Sequence, residues 1–318
     1  MNINLPKISN QIYAEQTLRV LDSAYSTVGP NWTAHQMEWA NGVYGAFKDH
    51  DKFLIVIYLT KKTLDFYSRN FTKLTYDQFY LKDAVEIEEF NVIEIAQEIN
   101  IPKETARRKI IELEKDGVIK RNKKKIIIDR SAYPFIKPIK SVVRISRFLS
   151  VLSELLHKEK ILPNKLSSLQ LEKTIKNNFT YVWKLYYELQ IPMMLGYKRV
   201  FGDIETFHIF GTCVVNQHIV SQKMNSAEMN RVEFISSLYG DNQTQGLNAM
   251  SISDITGIPR ATVVRKLKKL VSRKNLMINK KKHYTLTGSF VKQLMPIQKN
   301  VLSRLAEFST KIYNLVIL

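Results

Sequence analysis

Arg108 and Arg265 are the residues best equipped for specific chemistry, because a guanidinium presents its donors as a rigid fork. Each sits in a short run of similar residues. The first run holds Lys103, Glu104, Thr105, Arg107 and Arg108; the second holds Arg260, Thr262 and Arg265. Each is followed by Asn-Lys-Lys-Lys at the same distance, ending in Lys123, Lys124 and Lys125 and in Lys280, Lys281 and Lys282. Arginine and lysine at such spacing suit contact with a polyanion rather than covalent catalysis. No Gly-rich phosphate loop, nucleophile elbow or supported carboxylate pair accompanies them, so no enzymatic role is expected. The six histidines, His35, His50, His157, His208, His218 and His283, show no metal-ligand spacing, and one cysteine is present. Neither a metal site nor a cofactor is expected.

The elements that must position these residues occur twice. Residues 95–125 align without a gap on residues 252–282, with 11 of 31 positions identical by direct count. The matches include Ile95/Ile252, Ile101/Ile258, Pro102/Pro259, Thr105/Thr262, Arg108/Arg265, Lys109/Lys266 and Leu113/Leu270. A period of half the chain denotes a duplicated domain rather than a solenoid. Each copy reads as a helix, a tight turn, a second helix and a basic hairpin. Asn100 and Gly257 occupy the turn, where positive φ is needed. Pro102 and Pro259 suit the first turn of a helix. Ala106, Ile110 and Leu113, like Val263, Leu267 and Leu270, give one apolar stripe at helical spacing. Lys103, Glu104, Arg107 and Arg108 fall off that stripe. Gly117 is expected to end the first of these helices and Asn275 the second. Val118-Ile119 and Ile126-Ile127-Ile128 pair as strands with the lysines at their turn.

The stretches IPKETARRKIIELEKDGVIKR and IPRATVVRKLKKLVSRKNLMI resemble the recognition helix and wing of bacterial winged helix-turn-helix regulators. Lys103 to Arg108 is similar to the Arg-Glu-Thr-Val-x-Arg pattern of the cyclic-AMP receptor protein family. The helix, winged unit, helix layout resembles MarR-type regulators. The resemblance implies that Lys103, Glu104 and Arg108, with Arg260 and Arg265, read bases. Ala261 departs from the pattern where an acid is expected, so the second copy should read that base differently. The resemblance covers about a quarter of the chain. No cyclic-nucleotide barrel is matched, so that family's effector is not implied.

The charge distribution supports a nucleic-acid partner. Net charge is +19 and pI is about 9.7, which points to nucleic acid or an anionic surface. Residues 103–125 carry +6 and residues 260–282 carry +10, so 46 residues hold +16 of the total. No signal peptide is visible, and the run from Phe53 to Leu59 is too short to span a bilayer. The single Cys213 indicates a reducing compartment. A soluble, cytoplasmic, nucleoid-associated protein is expected.

The chain then divides into an N-terminal segment, 1–30, a first half, 31–160, with its winged unit at about 86–130, and a second half, 161–318, with its unit at about 249–287. A short helix is predicted over 11–25. Thr33 is expected to cap a helix bearing Met37, Ala40, Val43, Tyr44 and Phe47. Further helices are predicted over 52–67, after a Thr75-x-x-Gln78 capping box, over 140–158 and from Phe179 to Leu189. Others are expected over 207–220, after Ser226, and after Pro296. The polar stretch 159–175 marks the boundary. Aromatic residues at 32–47 and 179–187 fit core packing first, and an effector pocket between helices second.

The expected fold is mainly α with small β-wings: two tandem winged helix-turn-helix domains, flanked by helices, in an internal pseudo-two-fold duplication. The expected function is a sequence-specific transcriptional regulator of double-stranded DNA that reads an imperfect inverted repeat in successive major grooves. Lys103, Glu104, Arg107, Arg108, Arg260 and Arg265 would read bases. Thr105, Thr262 and the six wing lysines would hold phosphates. Double-stranded DNA and RNA polymerase are the expected partners, with no membrane, and the chain is a monomeric pseudo-dimer or a homodimer. A plasmid-type replication initiator and a winged-helix interaction scaffold are the alternatives.

Overall fold

The computed structural model describes residues 11–81, 84–87, 91–122, 125–129, 137–224, 228–238, 246–288 and 291–317. The fold is mainly helical with small sheets. In chain order the first half comprises α1 (Ala14–Ser23), α2 (Tyr25–Phe47), α3 (His50–Arg69), α4 (Tyr76–Tyr80), β1 (Ala84–Ile87), α5 (Val92–Glu98), α6 (Lys103–Lys115), β2 (Ile119–Asn122), β3 (Lys125–Asp129) and α7 (Ile139–Lys158). The second half comprises α8 (Ser168–Asn177), α9 (Phe179–Phe201), α10 (Ile204–Met224), α11 (Arg231–Ser237), α12 (Ala249–Thr256), α13 (Arg260–Ser272), β4 (Leu276–Ile278), β5 (Tyr284–Leu286) and α14 (Val291–Ile317).

Element lengths recur between the halves. The helices α1 and α8 each have 10 residues, α2 and α9 each have 23, and α6 and α13 each have 13. Packing recurs crosswise: α2 lies on α10 and α3 on α9, while α1 lies on α14 and α7 on α8. Helices of one half are therefore buried against helices of the other. One continuous hydrophobic cluster runs from Ile12 to Tyr313. The aromatic residues Trp32, Trp39, Tyr44, Phe47, Phe179, Trp183 and Tyr186 belong to it, so core packing is their main role.

Local chemistry explains most boundaries. Asp49 caps α3 by accepting from the N–H groups of Asp51 and Lys52, and Thr75 with Gln78 forms a capping box on α4. Several expectations need correction. Thr33 is no cap; it lies inside α2, and its hydroxyl donates to the Gly29 carbonyl at 2.9 Å. That helix runs through Pro30 and across the expected 30/31 boundary. The Ser26 carbonyl, which proline deprives of its N–H partner, accepts Gln222 Nε2 at 3.4 Å. Residues 159–175 are not simply a polar link, because Ser167 and Gln170 form a capping box that opens α8. The helix α9 continues through Pro192 to Phe201. The helix α11 starts after an Asn230/Glu233 capping box, and Ser226 lies outside the described residues. The last helix begins before Pro296, not after it.

Candidate nucleic-acid interface

Both basic runs lie on the second helix of a helix–turn–helix unit that is followed by a hairpin. Asn100 and Gly257 take positive φ, 52° and 68°, and so allow the sharp turn. The first helix of each unit is capped by asparagine, Asn91 on α5 and Asn248 on α12. By contrast α6 and α13 begin at Pro102 and Pro259, which are N-cap residues rather than first-turn residues and carry no side-chain acceptor. Their first N–H groups therefore remain available to an anion. On α6, Ala106, Ile110 and Leu113 are buried; on α13, Val263, Leu267 and Leu270 are.

The opposite faces carry the predicted residues. Lys103, Glu104, Arg107 and Arg108 are exposed on α6, and Arg260, Ala261 and Arg265 on α13, while Thr105 and Thr262 are half-buried. Gly117 ends α6 at φ 74°. Its equivalent in the second unit is Lys274 at φ 56°, not Asn275. Asn275 is the next residue and is buried, its N–H bonded to the Leu270 carbonyl at 2.9 Å. Both ends thus close as Schellman turns, since Val118 N–H meets the Leu113 carbonyl at 2.9 Å in the same way.

Each hairpin follows. In the first unit β3 sits between β1 and β2, with Ile119 opposite Ile128 and Asn122 opposite Lys125. In the second, β4 pairs with β5, Leu276 opposite Leu286. Lys280, Lys281 and Lys282 lie exposed on the β4–β5 turn, held by Asn279, whose side chain accepts the N–H groups of Lys281 and His283 at 3.0 Å. Lys125 is exposed at the start of β3; Lys123 and Lys124 lie outside the described residues.

The electrostatics of the two units differ. Acids are woven through the first: Arg108 Nε lies 3.7 Å from Glu112, Arg107 lies 4.0 Å from Glu104, and Arg121 Nε donates to Glu114 at 2.9 Å. In the second, Arg260, Arg265, Lys268, Lys280, Lys281 and Lys282 make no ion pair with a described residue. The second face therefore keeps more uncompensated positive charge.

Two lysines that carry the geometry received no role from the sequence. Lys109 points inward from α6, 7% exposed, and pairs with Asp49, the cap of α3. Lys266 does the same from α13, 2.6 Å from Asp203, at the start of α10. Burial would raise both aspartates. The hydrogen bond and charge of Lys109, with the N–H groups of Lys52 and Asp51, instead hold Asp49 below the usual range. Lys266 and Thr206 do so for Asp203. The signal was present in the sequence: a lysine stands on the apolar stripe in both copies, and a lysine so placed needs an acid. These anchors hang the two units from neighbouring helix corners. Lys198, near the end of α9, reaches Asp51 of α3 at 2.8 Å. The rings of His50 and His208 lie 5.3 Å apart where α3 and α10 begin.

Comparison with protein-family models, with characterised proteins and with solved structures finds no significant match for the chain. Among the described residues no group of His, Cys, Asp or Glu is placed to hold a metal ion. No described helix is long and apolar enough to cross a membrane.

Proposed function

We propose that the chain is a sequence-specific binder of double-stranded DNA acting in transcription regulation, with two tandem winged helix-turn-helix units related by a pseudo-two-fold. The supporting observation is the repeated placement of an exposed basic helix face and a basic hairpin, both anchored by an inward lysine at adjoining corners of one helical core. An α-helix fits the major groove, and Arg108 and Arg265 match the O6/N7 edge of guanine. The hairpin lysines and the uncapped N-termini of α6 and α13 serve the backbone. The crosswise packing of α2 on α10 and α3 on α9 stands where the interface of a homodimer would be. One chain then supplies both reading heads, and RNA polymerase is the expected further partner.

The faces are unequal, so the two arms of the target should differ. Glu104 accepts from cytosine N4, whereas Ala261 and Val264 offer only apolar contact. The experiment is fluorescence anisotropy on a random-sequence duplex and on duplexes selected from a random pool, over a series of salt concentrations. Binding to selected duplexes at least about 10³-fold tighter than to random ones, with a steep salt dependence, is the expected result. Equal affinity for both removes the claim of sequence specificity, and salt-independent binding removes the claim of phosphate contact.

A further inference from the structure

We propose that the cavity between α2, α9, α10 and α14 is a binding site for an uncharged single-ring molecule carrying an amide-type donor–acceptor pair. The cavity holds about 70 Å³. At roughly 10–15 Å³ per water this is space for about five to seven waters, or roughly 150–200 Å³ of liquid volume, the size of one ring with a small substituent. Its walls are apolar and flat: Trp32, Met37, Tyr197, Phe201, Phe207 and Phe210. Tyr197 and Phe207 are stacked, with centroids 4.1 Å apart and planes at 11°. Such walls suit the face of a ring.

Of the polar residues in this surface, three carry unmet atoms. Gln36 is 3% exposed, and neither its Nε2 nor its Oε1 has a hydrogen-bond partner among the described residues. His218 is 4% exposed with Nδ1 unmet, and Gln298 Oε1 is also buried and unmet. Buried polar groups in folded proteins are almost always satisfied. The unmet atoms here belong to three side chains that line a single void, and a small turn of each side chain would bring them to a molecule held there. The Gln36 amide offers a donor and an acceptor side by side, which an amide or lactam edge complements.

The ligand must be neutral. No Lys, Arg, Asp or Glu is among the described residues lining the cavity. Burial also keeps His218 as the uncharged imidazole, its pKa lowered to about 3. An ion would lose its hydration there without gaining a counter-charge. The corresponding space in the other half, between α2, α3, α7 and α9, is lined by Glu38, Lys137, Lys140 and Arg144. Of these two corresponding spaces only the first is neutral. Leu286 of β5 forms part of the neutral wall, so an occupant touches the second hairpin. The proposal stands whether or not that hairpin meets DNA.

The test uses the full chain with ¹³C-methyl methionine and benzamide as probe. Benzamide should shift the methyl resonances of Met37 and Met193, both in the wall, and leave the exposed Met250 and Met277 in place. Benzoate should shift none. Gln36→Leu removes the donor–acceptor pair and should weaken benzamide by about tenfold or more, without lowering the Tm of the free protein. No shift at Met37 and Met193 up to the solubility limit of benzamide overturns the proposal. So does an equal response to benzoate, or undiminished affinity in Gln36→Leu. If that variant does not fold, the methyl response of the unaltered chain decides.

Discussion

Lys109→Met asks whether α6 is held by its ion pair or by its apolar stripe alone. Methionine keeps the buried stem and deletes the ammonium, so packing against Ala106, Ile110 and Leu113 is largely retained. What is lost is one charge-assisted hydrogen bond to a carboxylate whose side chain is 28% exposed. Such a bond contributes about 1.5–3 kcal/mol. The carboxylate keeps the N–H groups of Asp51 and Lys52 at 2.8 and 3.1 Å and regains some water. A net loss of about 2 kcal/mol follows, well under the full cost of stranding a buried charge. In a chain of this length that lowers Tm by about 3 °C. Lys52→Met is the control, because Glu112 and Asp116 are each 41% exposed and such pairs contribute about 0–1 kcal/mol. Equilibrium urea unfolding followed by circular dichroism measures both. The pH dependence has a definite sign. The folded-state pKa of Asp49 is depressed, so the stabilisation is present above the unfolded value, about 3.9. It is lost as pH falls through the folded value, where variant and parent converge. A Lys109→Met protein within about 0.5 kcal/mol of its parent at pH 7, the range of an ordinary surface change, would refute the anchor.

Other consequences follow from named positions. Gly117→Ala and Gly257→Ala should each cost about 1 kcal/mol from backbone strain alone. Both residues have positive φ, and a Cβ at either meets nothing within 4 Å; thermal unfolding of the two variants checks this, and unchanged Tm values would contradict it. Arg108→Ala or Arg265→Ala should lose about 1–3 kcal/mol on the selected duplex and relax preference at one base position, measured by anisotropy on single-base variants. Neutralising Lys280, Lys281 and Lys282 should weaken all duplexes about equally and flatten the salt slope by about 0.9 for each phosphate no longer neutralised. A changed base preference in that variant would reverse the assignment of roles.

The two helix–turn–helix units were legible because their signals are local. Asn100, Gly257 and Gly117 declare positive φ by residue type, and the stripe of Ala106, Ile110 and Leu113 declares a buried face. The Lys274 turn was missed because lysine does not advertise φ 56°; only its alignment with Gly117 does. The helices were harder wherever tertiary contacts override local preference. Pro30 and Pro296 read as breaks, and the helix from Phe179 is expected to stop short of Pro192, yet all three prolines lie within helices. At Pro30 a side chain 196 residues away, Gln222, meets the freed carbonyl. The capping box at Ser167 and Gln170 was readable but was obscured by the polar character of its surroundings. Lys109 and Lys266 were visible as identities, but their partners Asp49 and Asp203 are distant in sequence, and nothing local joins them. The Gln36 cavity was legible only in part: Trp32, among the aromatic residues that fit core packing first and an effector pocket second, lines it, but a glutamine within a helix carries no mark of being unmet.

Stoichiometry on a defined site decides whether one chain presents two reading heads to one duplex. Duplexes selected from a random pool would be footprinted and then weighed with bound protein by native mass spectrometry. One chain per site is expected, protecting two unlike half-sites about one helical turn apart, roughly 34–36 Å. A symmetric site holding two chains, each touching DNA through only one of its two units, would contradict it.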